Sequence, residues 1–213
     1  MSIESPPTSG PASASGRENT SSHEGRLFVL SAPSGAGKST LCRILRQRRP
    51  ALRYSISYTT RSIRAGEVDG QDYFFIDANT FQEGIAAGRW LEWARVHGHY
   101  YGTAADFIDR TLAAGHDLLL DIDVQGADQL VQRYPQAVTI FIMPPSMDEL
   151  RQRLAKRGTD APDVIAARLR NAREEMAARF RYRYIVVNDQ LDQAVEELLA
   201  LVDAAGRPTS AQA

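Results

Sequence analysis

Eight consecutive residues, Ala32-Pro33-Ser34-Gly35-Ala36-Gly37-Lys38-Ser39, constrain this chain more than any other feature. They directly follow the unbroken apolar run Leu27-Phe28-Val29-Leu30, the pattern of a strand buried on both faces. They lead into a helical stretch from about Ser39 to Arg49, closed by Pro50. A buried strand, a glycine-rich turn and a helix in that order form a phosphate cradle. The glycines let several backbone N–H groups point at one phosphate, and the helix dipole favours the negative charge. Lys38 then reaches the β- and γ-phosphates, and the hydroxyl of Ser39 binds Mg²⁺. The first glycine of the usual pattern is Ala32 here. Alone, the motif specifies a nucleoside triphosphate and nothing finer.

The rest of the ordered chain, which begins at Arg26, repeats the alternation of short apolar strands and helices. Leu118-Leu119-Leu120-Asp121, Val138 to Ile142 and Ile185-Val186-Val187 read as three further buried strands. Helices are expected over Thr103–Ala114, Ala127–Tyr134, from Ser146 to about Lys156, from Asp163 to about Ala178, and over Gln190–Ala204. Ser146 with Glu149 has the spacing of a capping box, and Asp163 is placed to cap the helix after it. This order predicts an α/β fold, a parallel sheet of the P-loop NTPase type flanked by helices. Between Tyr54 and Thr103 the pattern changes. Tyr54–Ser57, Asp72–Ile76 and Trp90–Val96 read as strands of a small β-rich part, with a helix near Thr80 to Ala87 and a polar loop from Thr59 to Gln71.

Composition narrows the partners. The net charge is −1, with 25 basic and 26 acidic residues, so no global basic excess points to nucleic acid. Lys38 and Lys156 are the only lysines in a chain that otherwise uses arginine, which makes the lysine of the cradle a deliberate placement. One cysteine, Cys42, excludes an intrachain disulfide and a cysteine-based zinc site. His97, His99 and His116 have no metal-ligand spacing. No apolar run has the length of a membrane span, and the N-terminus lacks a signal-peptide pattern, so a cytoplasmic protein without membrane partners is expected. Residues 1–24, rich in Ser, Pro, Thr, Gly and Ala, read as a disordered tail, and 206–213 as a flexible C-terminus.

Downstream of the cradle come Thr59-Thr60-Arg61-Ser62-Ile63-Arg64-Ala65-Gly66-Glu67, then Tyr100-Tyr101-Gly102-Thr103, Leu120-Asp121-Ile122-Asp123-Val124-Gln125-Gly126 and Val186-Val187-Asn188-Asp189. With the cradle, this set resembles the guanylate kinase family, bacterial type, from about Arg26 to about Ala204. The resemblance implies phosphoryl transfer from ATP to GMP, and to dGMP, in purine nucleotide metabolism. It implies one domain over residues 25–205, with a GMP-binding part at about 54–103 and a helical lid at about 150–172.

The resemblance also implies residue roles. Arg61 and Arg64, with the hydroxyls of Tyr73 and Tyr101, hold the GMP phosphate, and Glu67 orients the two arginines. Arginine suits this because its fork donates two parallel bonds to phosphate oxygens. Glu92 faces guanine N1–H and the exocyclic amine, both donors, with Ser57, Thr103 and Asp123 completing the base end of the pocket. Ala32 through Thr40 (Ala32, Pro33, Ser34, Gly35, Ala36, Gly37, Lys38, Ser39, Thr40) and Asn188 form the ATP side. Ser39, and Asp121 through water, serve Mg²⁺. Lys38, Arg61 and the lid arginines Arg153, Arg157 and Arg168 are the catalytic candidates. Ile63 and Tyr58 depart from the family pattern, in which proline and smaller residues are common there. The stretch Arg179-Phe180-Arg181-Tyr182-Arg183-Tyr184 has no assigned mechanism. Monomer and homo-oligomer are both compatible. Two other readings stay open: a P-loop kinase for a phosphorylated sugar, and a non-enzymatic module that binds phosphorylated peptides.

Overall fold

The computed structural model describes residues 24–96, 98–156 and 161–205. Residues 1–23 of the expected N-terminal tail, the expected flexible C-terminus, His97 and Arg157 lie outside them.

Five parallel strands form the main sheet: β1 (Leu27–Ser31), β2 (Arg53–Tyr54), β7 (Leu118–Asp121), β8 (Val138–Met143) and β9 (Tyr184–Val187). Their order across the sheet is β2-β7-β1-β8-β9. Alternate side chains of the central strands serve two different cores. Phe28, Leu30, Leu119, Ile140 and Ile142 pack with Leu41 and Leu45 of α1 (Lys38–Arg48) and Val195 and Leu198 of α7 (Leu191–Ala204). Leu27, Val29, Leu118, Leu120 and Phe141 pack on the opposite side, against Ile108 and Leu112 of α3 (Ala105–Ala113) and Leu130 of α4 (Val124–Arg133). Burial on both faces explains why these strands read as unbroken apolar runs. β9 departs from that expectation. It is an edge strand, and Ile185 and Val187 are 37% and 47% exposed while Val186 is buried.

The smaller sheet is mixed, in the order β4-β3-β6-β5, built from β3 (Tyr58–Thr59), β4 (Phe74–Phe75), β5 (Trp90–Val96) and β6 (His99–Ala104). Here the structure corrects three sequence expectations. The single strand expected over Tyr54–Ser57 is split: Ser55 still donates to Leu119 O of the main sheet, whereas Ser57 O accepts from Phe74 in the small one. The strand expected over Asp72–Ile76 shortens to Phe74–Phe75. The helix expected from Thr103 starts at Ala105, because Gly102 and Thr103 pair in β6 with Trp93 and Glu92. The helix α2 (Ala78–Ala86) is N-capped by Asp77, whose carboxylate accepts the Thr80 N–H at 2.9 Å, and Phe81 and Trp90 stack beneath it at 4.5 Å.

Two further helix boundaries moved. α4 begins three residues ahead of expectation because Asp123 caps it, its Oδ1 accepting the Gly126 N–H at 2.8 Å. In α6 (Pro162–Ala177) Ala161 is the cap residue and Pro162 the first helical one, so Asp163 lies within the first turn instead of capping. Proline suits that position because its missing N–H would have no partner there. The capping of α5 (Met147–Lys156) follows expectation, with the Ser146 hydroxyl accepting the Glu149 N–H at 3.1 Å. α5 and α6 meet through Leu150, Leu154 and Ala172. Among the described residues no helix is long and apolar enough to cross a membrane.

Among the described residues, α4 ties the small sheet to the main one. Gln129 of α4 accepts the Trp93 N–H at 3.2 Å and donates to Trp93 O at 2.9 Å, so a side-chain amide extends the ladder of β5.

Candidate active site

The C-terminal ends of β1 and β7 open into a cleft of about 290 Å³ between the main sheet and the small one. Open parallel sheets place their ligands at this end of the strands. The cleft is lined by Ala32, Pro33, Ser34, Gly35, Gly37, Lys38, Ser39, Thr40, Ser57, Tyr73, Glu92, Tyr101, Asp121 and Asp123, fourteen of the positions expected from sequence. Ala36 and Thr103 sit behind this wall, buried.

The turn after β1 needs its glycines. Gly35 and Gly37 have φ of 96° and 97°, where a side chain is strained. A Cβ on Gly35 would lie 2.9 Å from Leu154 Cδ2, and one on Gly37 2.3 Å from Asn188 Nδ2. The first of these shows α5 resting directly on the cradle. The second shows what Asn188 does here: its buried amide donates to Ala36 O at 2.7 Å and holds the turn from behind.

Lys38 is paired with Asp121 and also donates to Ile122 O at 2.9 Å. Burial works against its charge, but Asp121 more than compensates and the ammonium is held well above the ordinary lysine range. Glu67 organises the loop after β3. Its two oxygens accept from both Nη atoms of Arg61, at 2.8 and 2.9 Å, and one of them also accepts the Arg64 N–H at 2.8 Å. The Arg61 guanidinium lies 5.3 Å from the Tyr73 ring centre, and Tyr73 meets Tyr101 edge-on at 5.9 Å. Arg64 is exposed and neither arginine lines the cleft as it stands.

At the far end lies Glu92, 4% exposed. A β-bulge between Trp90 and Glu92 puts both tryptophans of β5 on the face that packs on Phe81 and Tyr100, and Glu92 with Ala94 on the other, so the acid and neither tryptophan faces the cleft. The Thr103 hydroxyl donates to Glu92 across the β5–β6 pair. Burial, aided by nearby Asp123 and opposed by the Thr103 bond and Lys38, raises the Glu92 carboxyl to about 7. The three arginines expected in a lid stand differently. Arg153 pairs with Glu149 one turn back at 2.9 Å, Arg168 is half-buried on α6, and Arg157 lies outside the described residues.

Four lining residues went unrecognised in the sequence: Ala94, Val96, Ile122 and Glu175. Glu175, on α6, is the most consequential. One of its oxygens is buried without a hydrogen-bond partner, and burial raises its carboxyl above the ordinary range. Nothing in an Arg-Glu-Glu run on an amphipathic helix marks the second acid as the inward one. Gly126 was also missed as a positioning residue. A Cβ there would fall 2.3 Å from Glu92 Oε2, so the carboxylate occupies the space a side chain would take.

Oxygen donors of Ser39 and Asp121 share the cleft with the cradle, the hard-ligand chemistry that suits Mg²⁺.

The guanylate kinase family model matches residues 24–205. The chain belongs to the guanylate kinase family. A guanylate kinase from Dechloromonas aromatica (strain RCB) is 50% identical over 188 residues, covering 88% of this chain and 93% of the relative. The guanylate kinase of Geobacter sulfurreducens is 51% identical over 181 residues, covering 85% of this chain and 89% of its own. A crystal structure of guanylate kinase from Anaplasma phagocytophilum superposes with a TM-score of 0.72 at 32% identity, covering 88% of this chain and 89% of that one. The cleft of this guanylate kinase has two halves, the glycine turn on the main sheet and a buried acid on the second sheet facing it.

Proposed function

We propose that this guanylate kinase transfers the γ-phosphoryl group of ATP to the phosphate of GMP, and accepts dGMP. The observation that carries the reading is Glu92, a buried carboxylate that reaches the same cleft as the P-loop. Guanine offers two adjacent donors, N1–H and the 2-amino group, that match a carboxylate's two acceptors; adenine offers no such pair. A buried acid left unpaired by the wrong base makes a site reject that base strongly. No residue is assigned to the ribose 2′-hydroxyl, which is why dGMP should serve.

In the reaction an oxygen of the GMP phosphate bonds to the γ-phosphorus while the bond to the β-bridging oxygen breaks, and ADP leaves with that electron pair. The acceptor oxygen is already anionic near neutral pH, so positioning and charge stabilisation suffice. The Lys38–Asp121 pair is the resting arrangement. On ATP binding Lys38 turns to the β- and γ-phosphates, which frees Asp121 to hold a water of the metal shell, with Ser39 as the direct ligand. Mg²⁺ held by these residues would offset charge on the phosphates. Arg61 and Arg64 take the acceptor phosphate, with Tyr73 and Tyr101, and Glu67 keeps their loop folded. Ser57, Thr103 and Asp123 support the base. Arg153, Arg157 and Arg168 close on the triphosphate as the lid moves, and Asn188 supports the ATP side through Ala36. Core, GMP-binding part and lid then move as three hinged bodies, excluding water that would otherwise hydrolyse ATP. The cytoplasm, where both nucleotides are available, is the matching compartment.

The test is ADP release with ATP and Mg²⁺, comparing GMP, dGMP, AMP, CMP, UMP and no acceptor. Turnover with GMP and dGMP alone is expected. Folded protein silent with every nucleotide would sink the proposal, leaving the sugar-phosphate and peptide-binding readings.

A further inference from the structure

Away from the cleft, at the β2 edge of the main sheet, lies an open groove of about 840 Å³. α1 supplies one wall with Arg43 and Arg46, β2 the floor with Arg53 and Tyr54, and α3 the other wall with Phe107 and Arg110. Among the described residues no aspartate or glutamate lines it. Elsewhere seven of the described arginines are paired with acids, and Arg89, Arg95, Arg179 and Arg183 lie over aromatic rings. Arg26, Arg48, Arg49, Arg61, Arg133, Arg153 and Arg181 each hold a carboxylate. Two of the groove's arginines meet uncharged groups: Arg43 reaches the Gln47 amide oxygen at 3.5 Å, and the Arg46 guanidinium carbon lies over the Tyr54 ring, 4.1 Å from its centre. Asp106, one turn before Arg110 on α3, is outside the lining. Four cations sharing one concavity without a counter-charge repel one another. Stacking fixes the Arg46 guanidinium while leaving its N–H edge available. Phe107, 40% exposed, offers an uncovered aromatic face beside them.

We propose that this groove is a second, non-catalytic binding site for a small molecule carrying several phosphate groups. Arginine forks match phosphate oxygens in pairs, and the volume is that of a site for one nucleotide-sized ligand. A duplex or long strand would call for a basic stripe extending beyond one groove, and the chain's net charge of −1 supplies none. The shared chemistry is the polyphosphate. Inorganic polyphosphate supplies only that, whereas a nucleotide adds a base for Phe107.

Calorimetric titration of the full chain with tripolyphosphate tests the proposal. Two molecules per chain are expected, one on the P-loop and one in the groove. R53E/R110E should bind one, with unchanged kinase activity on GMP, and K38A should keep the groove site alone. Each arginine removed should weaken that site about tenfold or more. If R53E/R110E unfolds, R43E/R53E is the replacement, and a circular dichroism melt qualifies either. In the K38A protein, a nucleoside triphosphate that binds at least about tenfold tighter than tripolyphosphate, with the gain lost in F107A, names a nucleotide as the ligand. Equal affinities name the bare polyphosphate. One molecule per chain in the wild type, two retained in the groove variant, or affinity for single-stranded oligonucleotides that keeps rising with length would overturn the proposal.

Discussion

Glu92 illustrates what one residue can decide. Its carboxyl titrates near 7 because it is buried, so it binds more protons in the folded chain than in the unfolded one between about 4.5 and about 7. Stability from this group is therefore fully present below pH 4.5 and is lost as pH rises through 7, by about 3 kcal/mol in total. Glu92→Gln should remove that slope, as urea denaturation at pH 5 and pH 8 would read. The ligand pulls the other way. Guanine needs the ionised form, so GMP affinity should rise as pH goes from 6 to 8, beyond what the phosphate's own ionisation near 6 produces. In the Gln variant only the phosphate contribution should remain, and the preference for GMP over AMP in kcat/KM should fall by about a hundredfold or more. Unchanged selectivity would remove Glu92 from the base site. Gly126 is coupled to it. Gly126→Ala gains helix propensity of up to about 1 kcal/mol but puts a methyl against Glu92 Oε2. Its KM for GMP should climb about tenfold with KM for ATP unchanged. Parallel changes in both constants would mean a general disturbance of the fold.

At the scale of elements, α4 does three jobs with its first turns. Asp123 caps it, Gly126 makes room for Glu92, and Gln129 clasps β5. The cap and the proposed base contact belong to the same side chain, and substitutions can separate them. Asp123→Asn keeps a good capping residue, so its melting temperature should stay within about 2 °C of the wild type while the KM for GMP rises. Asp123→Ala should lose the cap as well, costing about 1 kcal/mol. Equal GMP kinetics in wild type and the Asn variant would leave Asp123 with the cap alone. The capping role was not legible beforehand, because Asp121-Ile122-Asp123 reads as an acid pair after a strand, and only the backbone geometry shows which of the two caps the helix. The start of α3 was misjudged for a similar reason: Thr103 and Ala104 are compatible with a helix, and it is pairing with β5 that holds them extended.

For the whole molecule, the small sheet and the α5–α6 pair flank a rigid two-sided core. α5 rests on the cradle through Leu150 and Leu154 against Gly35, and the small sheet joins through Gln129 and Trp93. Amide hydrogen exchange should separate the parts. GMP alone should slow exchange in β3 to β6, ATP analogues should slow it in α5 and α6, and the central strands should change with neither. Protection of all three regions by either nucleotide alone would argue for one closing body in place of two.

The sequence alone determined the P-loop, the strands at the centre of the main sheet and the family, because each is carried by neighbouring residues. A glycine turn needs its glycines in a row, and a strand covered on both faces has to be apolar throughout. Fourteen of the expected positions line the cleft, because motifs carry them in order along the chain, whereas Arg61 and Arg64 do not. Tertiary structure decided the rest. Hydropathy gives no reason for Glu92 to point inward while Trp93 stays partly exposed; the register of β5 on β6 does. Gly126 and Glu175 matter through what packs against them from other elements, and Asn188 through a carbonyl 152 residues earlier in the chain. The four arginines of the groove are scattered from position 43 to 110, and only the packing of α1, β2 and α3 gathers their charge without an acid to balance it. Local patterns encode what neighbours along the chain do to one another, whereas the side a polar group faces is settled by contacts between distant segments.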